Sequence, residues 1–132
     1  MQKTLRSNLL LLLITTTLLS CEKGTDIICK ITNNSSEKIT VKTYSNYLVP
    51  NQVIETIIDK QETKDIYTNS RQIGGFHETT TINNVIDSIT AKTETGKTLI
   101  KYYNNEGDWT KEIDKKKQTI VFTAIINDIT LK

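Results

Sequence analysis

His77 is the only histidine of this 132-residue chain. It stands in Gly74-Gly75-Phe76-His77-Glu78, a glycine-rich stretch that could present an imidazole and a carboxylate together. Such a pair can move protons or contribute to a metal site. The pattern stops short of both. A protein metal site takes about three or four ligands, usually in paired spacings, and the chain has no second His and no Cys pair. Adjacent side chains on an extended strand also point to opposite faces. His77 therefore reads as a solvated loop histidine, with Phe76 and His77 as candidate surface contacts. A second chemical stretch is Asn104-Asn105-Glu106-Gly107-Asp108-Trp109. Calcium takes about six to eight oxygens from such loops, but the alternating Asp/Asn positions and the distal Glu of an EF-hand are missing. A turn ending in a packed tryptophan is the plainer reading. Trp109, the only Trp, either plugs one end of the core or sits half-exposed at a recognition patch. Cys29, in Ile27-Ile28-Cys29-Lys30-Ile31, reads as a small buried hydrophobe in a first strand. There is no nucleophile elbow, phosphate loop, HExxH or CxxC. Nothing here calls for an enzyme, so no catalytic residue, metal or cofactor is assigned.

The other cysteine has a different setting. Lys3 and Arg6 precede an apolar run, Leu9 to Leu19, interrupted only by Thr15-Thr16-Thr17. The run is shorter than the roughly 20 residues that span a bilayer and has the layout of a secretory leader. It ends in Leu18-Leu19-Ser20-Cys21, which resembles the lipobox of bacterial lipoproteins. The resemblance implies cleavage between Ser20 and Cys21 and a thioether from Cys21 to diacylglycerol, with membrane lipid as the partner of the acylated residue. Two or more acyl chains anchor a protein stably, at about 0.8 kcal/mol per buried CH₂. Residues 1–20 are then the leader, helical or disordered, 21–25 a tether, and 26–132 a single domain.

Two of the seventeen basic residues lie in the leader, so residues 21–132 carry fifteen basic and fifteen acidic side chains. A neutral domain lacks the cationic surface that nucleic acid requires. The basic cluster Lys115-Lys116-Lys117 follows Asp114 and reads as a solvated turn. With Cys21 acylated, Cys29 has no disulfide partner, and the domain must fold on its core alone. Tyr44, Tyr47, Tyr102 and Tyr103 could share an exposed aromatic surface if their strands are neighbours; scattered tyrosines on a sheet are the commoner case.

The rest of the chain is rich in Thr, Ile, Val, Asn and Lys, with one Pro. Ile39, Val41 and Thr43 alternate with Thr40, Lys42 and Tyr44, the period of a half-buried strand. Asn33-Asn34-Ser35-Ser36 has turn chemistry and predicts a hairpin between this strand and the one holding Cys29. Tyr47 to Asn51 predicts a turn. Further strands are expected at 53–58, 63–68, 87–93 and 119–126, with Ile129-Thr130-Leu131 finishing the chain. Gly96 in Glu94-Thr95-Gly96-Lys97 can supply a positive φ, predicting a hairpin that returns over 98–103. Seven or eight short strands in one domain predict an all-β fold, a small antiparallel β-sandwich of immunoglobulin-like kind, or failing that a small barrel.

Ile31 to Ser35, Asp87 to Thr90 and Gly96-Lys97, together with the lipobox, resemble pieces of small Bacteroidota lipoproteins. The resemblance implies a lipid-anchored envelope protein, at the outer membrane, with a β domain that binds an envelope protein or glycan, or supports one, without catalysis. Two other functions fit the size and location: an immunity or inhibitor protein against a secreted toxin, and a small envelope hydrolase using His77. Asp87-Ser88-Ile89 also resembles the O-glycosylation site of the same group; a strand start whose Asp and Ser close the preceding turn is the plainer reading.

Overall fold

The computed structural model describes residues 24–45, 53–71 and 77–132. Ser20, Cys21, the expected turn at 47–51 and Phe76 lie outside them. Among the described residues seven strands form: β1 (Thr25–Asn33), β2 (Ile39–Tyr44), β3 (Val53–Ile58), β4 (Thr63–Arg71), β5 (Ser88–Thr93), β6 (Thr110–Asp114) and β7 (Thr119–Ile126). They make two open sheets, ordered β4-β1-β7-β6 and β3-β2-β5. The protein is an all-β sandwich, as expected, and is not closed into a barrel. Of the neighbours in the immunoglobulin plan, β2 beside β5 and β6 beside β7 are present.

The core comes directly from period-two patterning. Alternate residues of β1, from Thr25 to Asn33, are buried, as are Ile120, Phe122, Ala124 and Ile126 of β7. Ile39, Val41 and Thr43 turn inward from β2. Most of these inward positions are isoleucine, valine or threonine, whose branching at Cβ suits the pleated surface. In β4 the alternation breaks: Ile66 and Tyr67 are both buried. The register against β1 shifts between Cys29 and Lys30, a bulge that admits both side chains.

Three expectations are corrected. β1 and β2 do not form a hairpin. β1 is already paired on both edges, antiparallel to β4 and parallel to β7, so the chain crosses to the other sheet after Asn33. The 94–97 turn forms with Gly96 at φ +97°, and Leu99 N–H reaches Ala91 O at 2.9 Å. The return then leaves β5 for the end of the chain. Thr98 and Lys132 exchange backbone bonds of 2.7 and 3.0 Å, and Ile100 N–H donates to Thr130 O at 3.0 Å. This pairing is favoured because it brings Leu131 into the core. The final segment is accordingly a 3₁₀ turn, Asp128–Thr130, capped by Asn127 Oδ1. The third correction is β6, which had no sequence signal. Its first four residues are exposed, so an edge strand of mixed charge shows no apolar alternation.

Asn33 ends β1 with its side chain fully buried. Its Nδ2 donates to the carbonyls of Glu37 at 2.8 Å and of Ile58 and Asp59 at 3.2 Å. Its Oδ1 accepts from Ser35 N–H at 3.0 Å and Ser35 Oγ at 2.6 Å. One amide thus fixes the β1–β2 crossing and the β3–β4 crossing together. Nearby, Glu37 accepts from Thr95 Oγ1 at 2.6 Å and Lys97 Nζ at 2.8 Å, which ties the same crossing to the Gly96 turn. These bonds, Lys97's first, hold the Glu37 carboxyl down at about 2 instead of 4.5.

Asn33→Ala leaves several buried groups without partners and is expected to cost about 2–4 kcal/mol, read as a lower urea midpoint at unchanged slope. A loss below about 0.5 kcal/mol, the level of an ordinary surface change, would show that the amide is not what holds the crossings. The lowered Glu37 carboxyl gives a pH dependence of fixed sign. Its contribution is fully present above the unfolded value of 4.5 and is lost as pH falls from there through about 2. Stability of Glu37→Gln should therefore fall less steeply across that window than that of the parent, in urea titrations at each pH.

Candidate functional site

The two stretches with chemical potential, around His77 and around Trp109, meet along one flank of the sandwich. His77 lies where the chain enters β1: its N–H donates to Thr25 Oγ1 at 3.1 Å. Its carbonyl accepts from Thr80 N–H at 3.2 Å and Thr80 Oγ1 at 2.9 Å. These bonds turn residues 77–82 into a strap that runs toward Ile82, which is buried. Lys111 of β6 latches the strap. Its Nζ donates to Glu78 O at 2.6 Å and Thr80 O at 2.7 Å, and it lies 5.8 Å from the Phe122 ring centroid. Lys115 adds an ion pair to Glu78 at 2.9 Å.

Trp109 is set from the other side. It is only 7% exposed, so it plugs the core and is not a half-exposed patch. The 3₁₀ turn Glu106–Asp108 leads into it, with Trp109 N–H on Glu106 O at 3.1 Å. Indole Nε1 donates to Tyr103 O at 3.0 Å, and the two rings meet edge-on at 6.4 Å. Tyr103 Oη in turn donates to Ile125 O at 2.6 Å, and burial pushes that phenol up from its ordinary value. Asp108 is held by Lys101 at 2.6 Å. The oxygen-rich loop is therefore an anchored turn.

Between strap and tryptophan lies a cavity of about 160 Å³. Trp109, Phe122 and Ile82 make its apolar side, and Thr80, Thr81 and Glu106 its polar rim. Ligand pockets usually enclose about 300 Å³ or more, so this one suits a single inserted side chain or sugar-sized group. A broader depression of about 520 Å³ lies over Thr40, Lys42, Thr90 and Lys92 on the outer side of β2 and β5. Lys42 is neutralised there by Glu55 at 3.3 Å.

The remaining candidates do not join this site. Cys29 is fully buried, and desolvation, with a smaller push from the Asp65 carboxylate, raises its thiol to about 12. It is the buried strand residue that the sequence indicated, and no thiolate is available to pair with His77. Tyr102 is exposed whereas Tyr103 is in the core, so these two do not share an aromatic surface. Among the described residues, no three His, Cys, Asp or Glu side chains converge as metal ligands. Lys111 is the site residue that the sequence did not reveal. Its role arises from β6 register, which sets it opposite Phe122, and no local spacing signals that.

Lys111→Met keeps the aliphatic stem and removes both latching bonds. It is expected to cost about 1–2 kcal/mol and to speed amide exchange at Thr80 and Ile82 ahead of the β1 and β7 amides. Uniform exchange across all of these would show that the strap is held by packing and not by the latch.

No protein-family model matches the chain, and no curated protein or solved structure matches it either.

Proposed function

We propose that the chain is a lipid-anchored lipoprotein of the bacterial cell envelope, at the outer membrane, whose β-sandwich binds a partner there without catalysis. The observation that carries the anchor is the order Leu18-Leu19-Ser20-Cys21 behind a charged and apolar leader, with the first strand starting at Thr25. Cleavage before Cys21 leaves a fold that begins four residues after the acylated sulfur. An acyl anchor holds such a domain at a membrane surface without a spanning segment.

The binding role draws on the flank described above. The strap and the Trp109 turn are rigid, being latched by Lys111 and by the Trp109–Tyr103–Ile125 chain of bonds. Rigid presentation lowers the ordering cost of contact. The cavity between them takes one protruding group of an envelope protein or glycan.

Cys21→Ala tests the anchor. The variant should leave the membrane fraction or persist as the uncleaved precursor, whereas the parent, extracted in detergent, should have the mass of residues 21–132 plus acyl groups. Membrane retention of the variant at parental level would refute the anchor.

A further inference from the structure

Strand register fixes what surrounds the point where the chain enters the fold. Thr25 opens β1 opposite Arg71, the last residue of β4. Asp26 lies beside Thr119, which begins β7, and Thr119 faces Asp114, which ends β6. The β6–β7 turn therefore sits against the start of β1, joined by Asp26 N–H to Gln118 O at 2.9 Å. That turn is Lys115-Lys116-Lys117-Gln118. Some ninety residues separate these lysines from Cys21 in sequence, yet they flank the start of β1 in space.

The turn displays its charges. Asp114 Oδ1 accepts the N–H groups of Lys116 and Lys117, each at 3.0 Å, which bends the chain and occupies the carboxylate on the backbone. The Lys115 and Lys117 side chains are 71% and 79% exposed. The acids facing them are Glu78, at 2.9 Å from Lys115, Asp114, at 3.7 Å from Lys117, and Asp26 on the adjoining strand. Lys116 is exposed and makes no ion pair among the described residues. The opposite end of the sandwich holds the Asn33, Glu37 and Asp128 crossings, with Lys38, Lys60 and Lys97.

We infer that the Lys115–Lys117 end of the sandwich rests on the bilayer and that these lysines contact the phosphates of anionic lipid headgroups. The inference rests on acylation of Cys21. Four residue steps reach at most about 14 Å, so the lipid surface cannot be farther than that from Thr25. The nine-residue β1 then sets the opposite end roughly 25–30 Å farther away. Cations within about a Debye length of an anionic leaflet, about 8–10 Å, are attracted to it. The tether is short enough to let the Lys115–Lys117 turn, which adjoins the start of β1, come within that range. The partner-binding flank then stands at the side of the domain, open to the periplasm or the cell exterior.

The test is lysine footprinting of the full mature lipoprotein with a water-soluble succinimidyl ester, read by peptide mass. It compares detergent micelles, zwitterionic phosphatidylcholine vesicles and vesicles containing phosphatidylglycerol. On the anionic vesicles Lys115–Lys117 should react about threefold or more slowly than in the other two, with Lys38, Lys60 and Lys97 unchanged, and about 0.5 M salt should abolish the protection. Equal rates on both vesicle types would overturn the headgroup contact, as would protection of Lys38 and Lys60 instead. Flotation separates the premises: a protein that fails to float with vesicles has no anchor, while one that floats unprotected keeps the anchor and loses the contact.

Discussion

A buried amide, that of Asn33, is the interaction on which the two-sheet arrangement depends. β1 belongs to one sheet and β2 to the other, so the chain must cross the sandwich immediately after Asn33. The β3–β4 connection makes the same crossing a few ångströms away. Crossings of this kind leave backbone carbonyls pointing into the interior, where each one unsatisfied would cost free energy. Asn33 supplies donors for the carbonyls of Glu37, Ile58 and Asp59, and its own oxygen is filled by Ser35. Its backbone completes the set, with N–H to Glu62 O at 2.8 Å and C=O from Gln61 N–H at 2.7 Å. No aliphatic side chain could do this, and a carboxylate would lack the donors.

That crossing frees β1 for its second role. Both of its edges are used within one sheet, and its parallel pairing with β7 joins the start of the domain to its last strand. A parallel pair needs a long connection between its strands, and here the rest of the domain is that connection. Because β7 is also fed by the β6–β7 turn, this pairing is what carries the lysine turn to the point where the chain enters. The placement of charge around the start of β1 is thus a consequence of topology. Among the described residues two buried side-chain oxygens have no hydrogen-bond partner: Asp108 Oδ2, and Thr43 Oγ1, inward on β2 where valine would fill the same volume.

The elements most legible in the sequence were those whose inward and outward faces differ. β2 and β7 alternate cleanly; both were read as strands, and on β2 the shared face of Ile39, Val41 and Thr43 was read as well. Sheet membership was not legible, since Asn33-Asn34-Ser35-Ser36 has the same turn chemistry whether the chain folds back in plane or crosses over. The decision lies in bonds from Asn33 to Ile58 and Asp59, twenty-five residues on. β6 was hidden for the opposite reason: an exposed edge strand of Thr, Lys and Glu has no apolar face to reveal it. Likewise Gly96 announced its turn, but not that Leu99 would pair with Leu131. For the site, Trp109 and His77 were visible as residue types, whereas the latch between their loops depends on β6 and went unseen with it.

The same flank shows why rigidity and binding are compatible in a chain of this size. With fifteen acids against fifteen bases in residues 21–132, long-range charge offers a partner little steering, so contact must come from local shape. Local shape here is set by groups whose polar atoms are already committed: the Trp109 indole to Tyr103, the Lys111 amine to two carbonyls. What remains available at the cavity is aromatic and aliphatic surface with the Glu106 carboxylate at the rim, because the Thr80 and Thr81 hydroxyls are bonded to His77 O and Asn84 Oδ1. A partner would meet an apolar side whose surrounding hydrogen bonds are already made. Affinity at such a place is limited by the small area of the cavity, and the neighbouring strap and β6 surface would have to contribute the rest. The proposed membrane anchor would raise the effective concentration of a modest surface toward partners in the same membrane. A small, neutral domain with few uncommitted polar groups would be well matched to that situation.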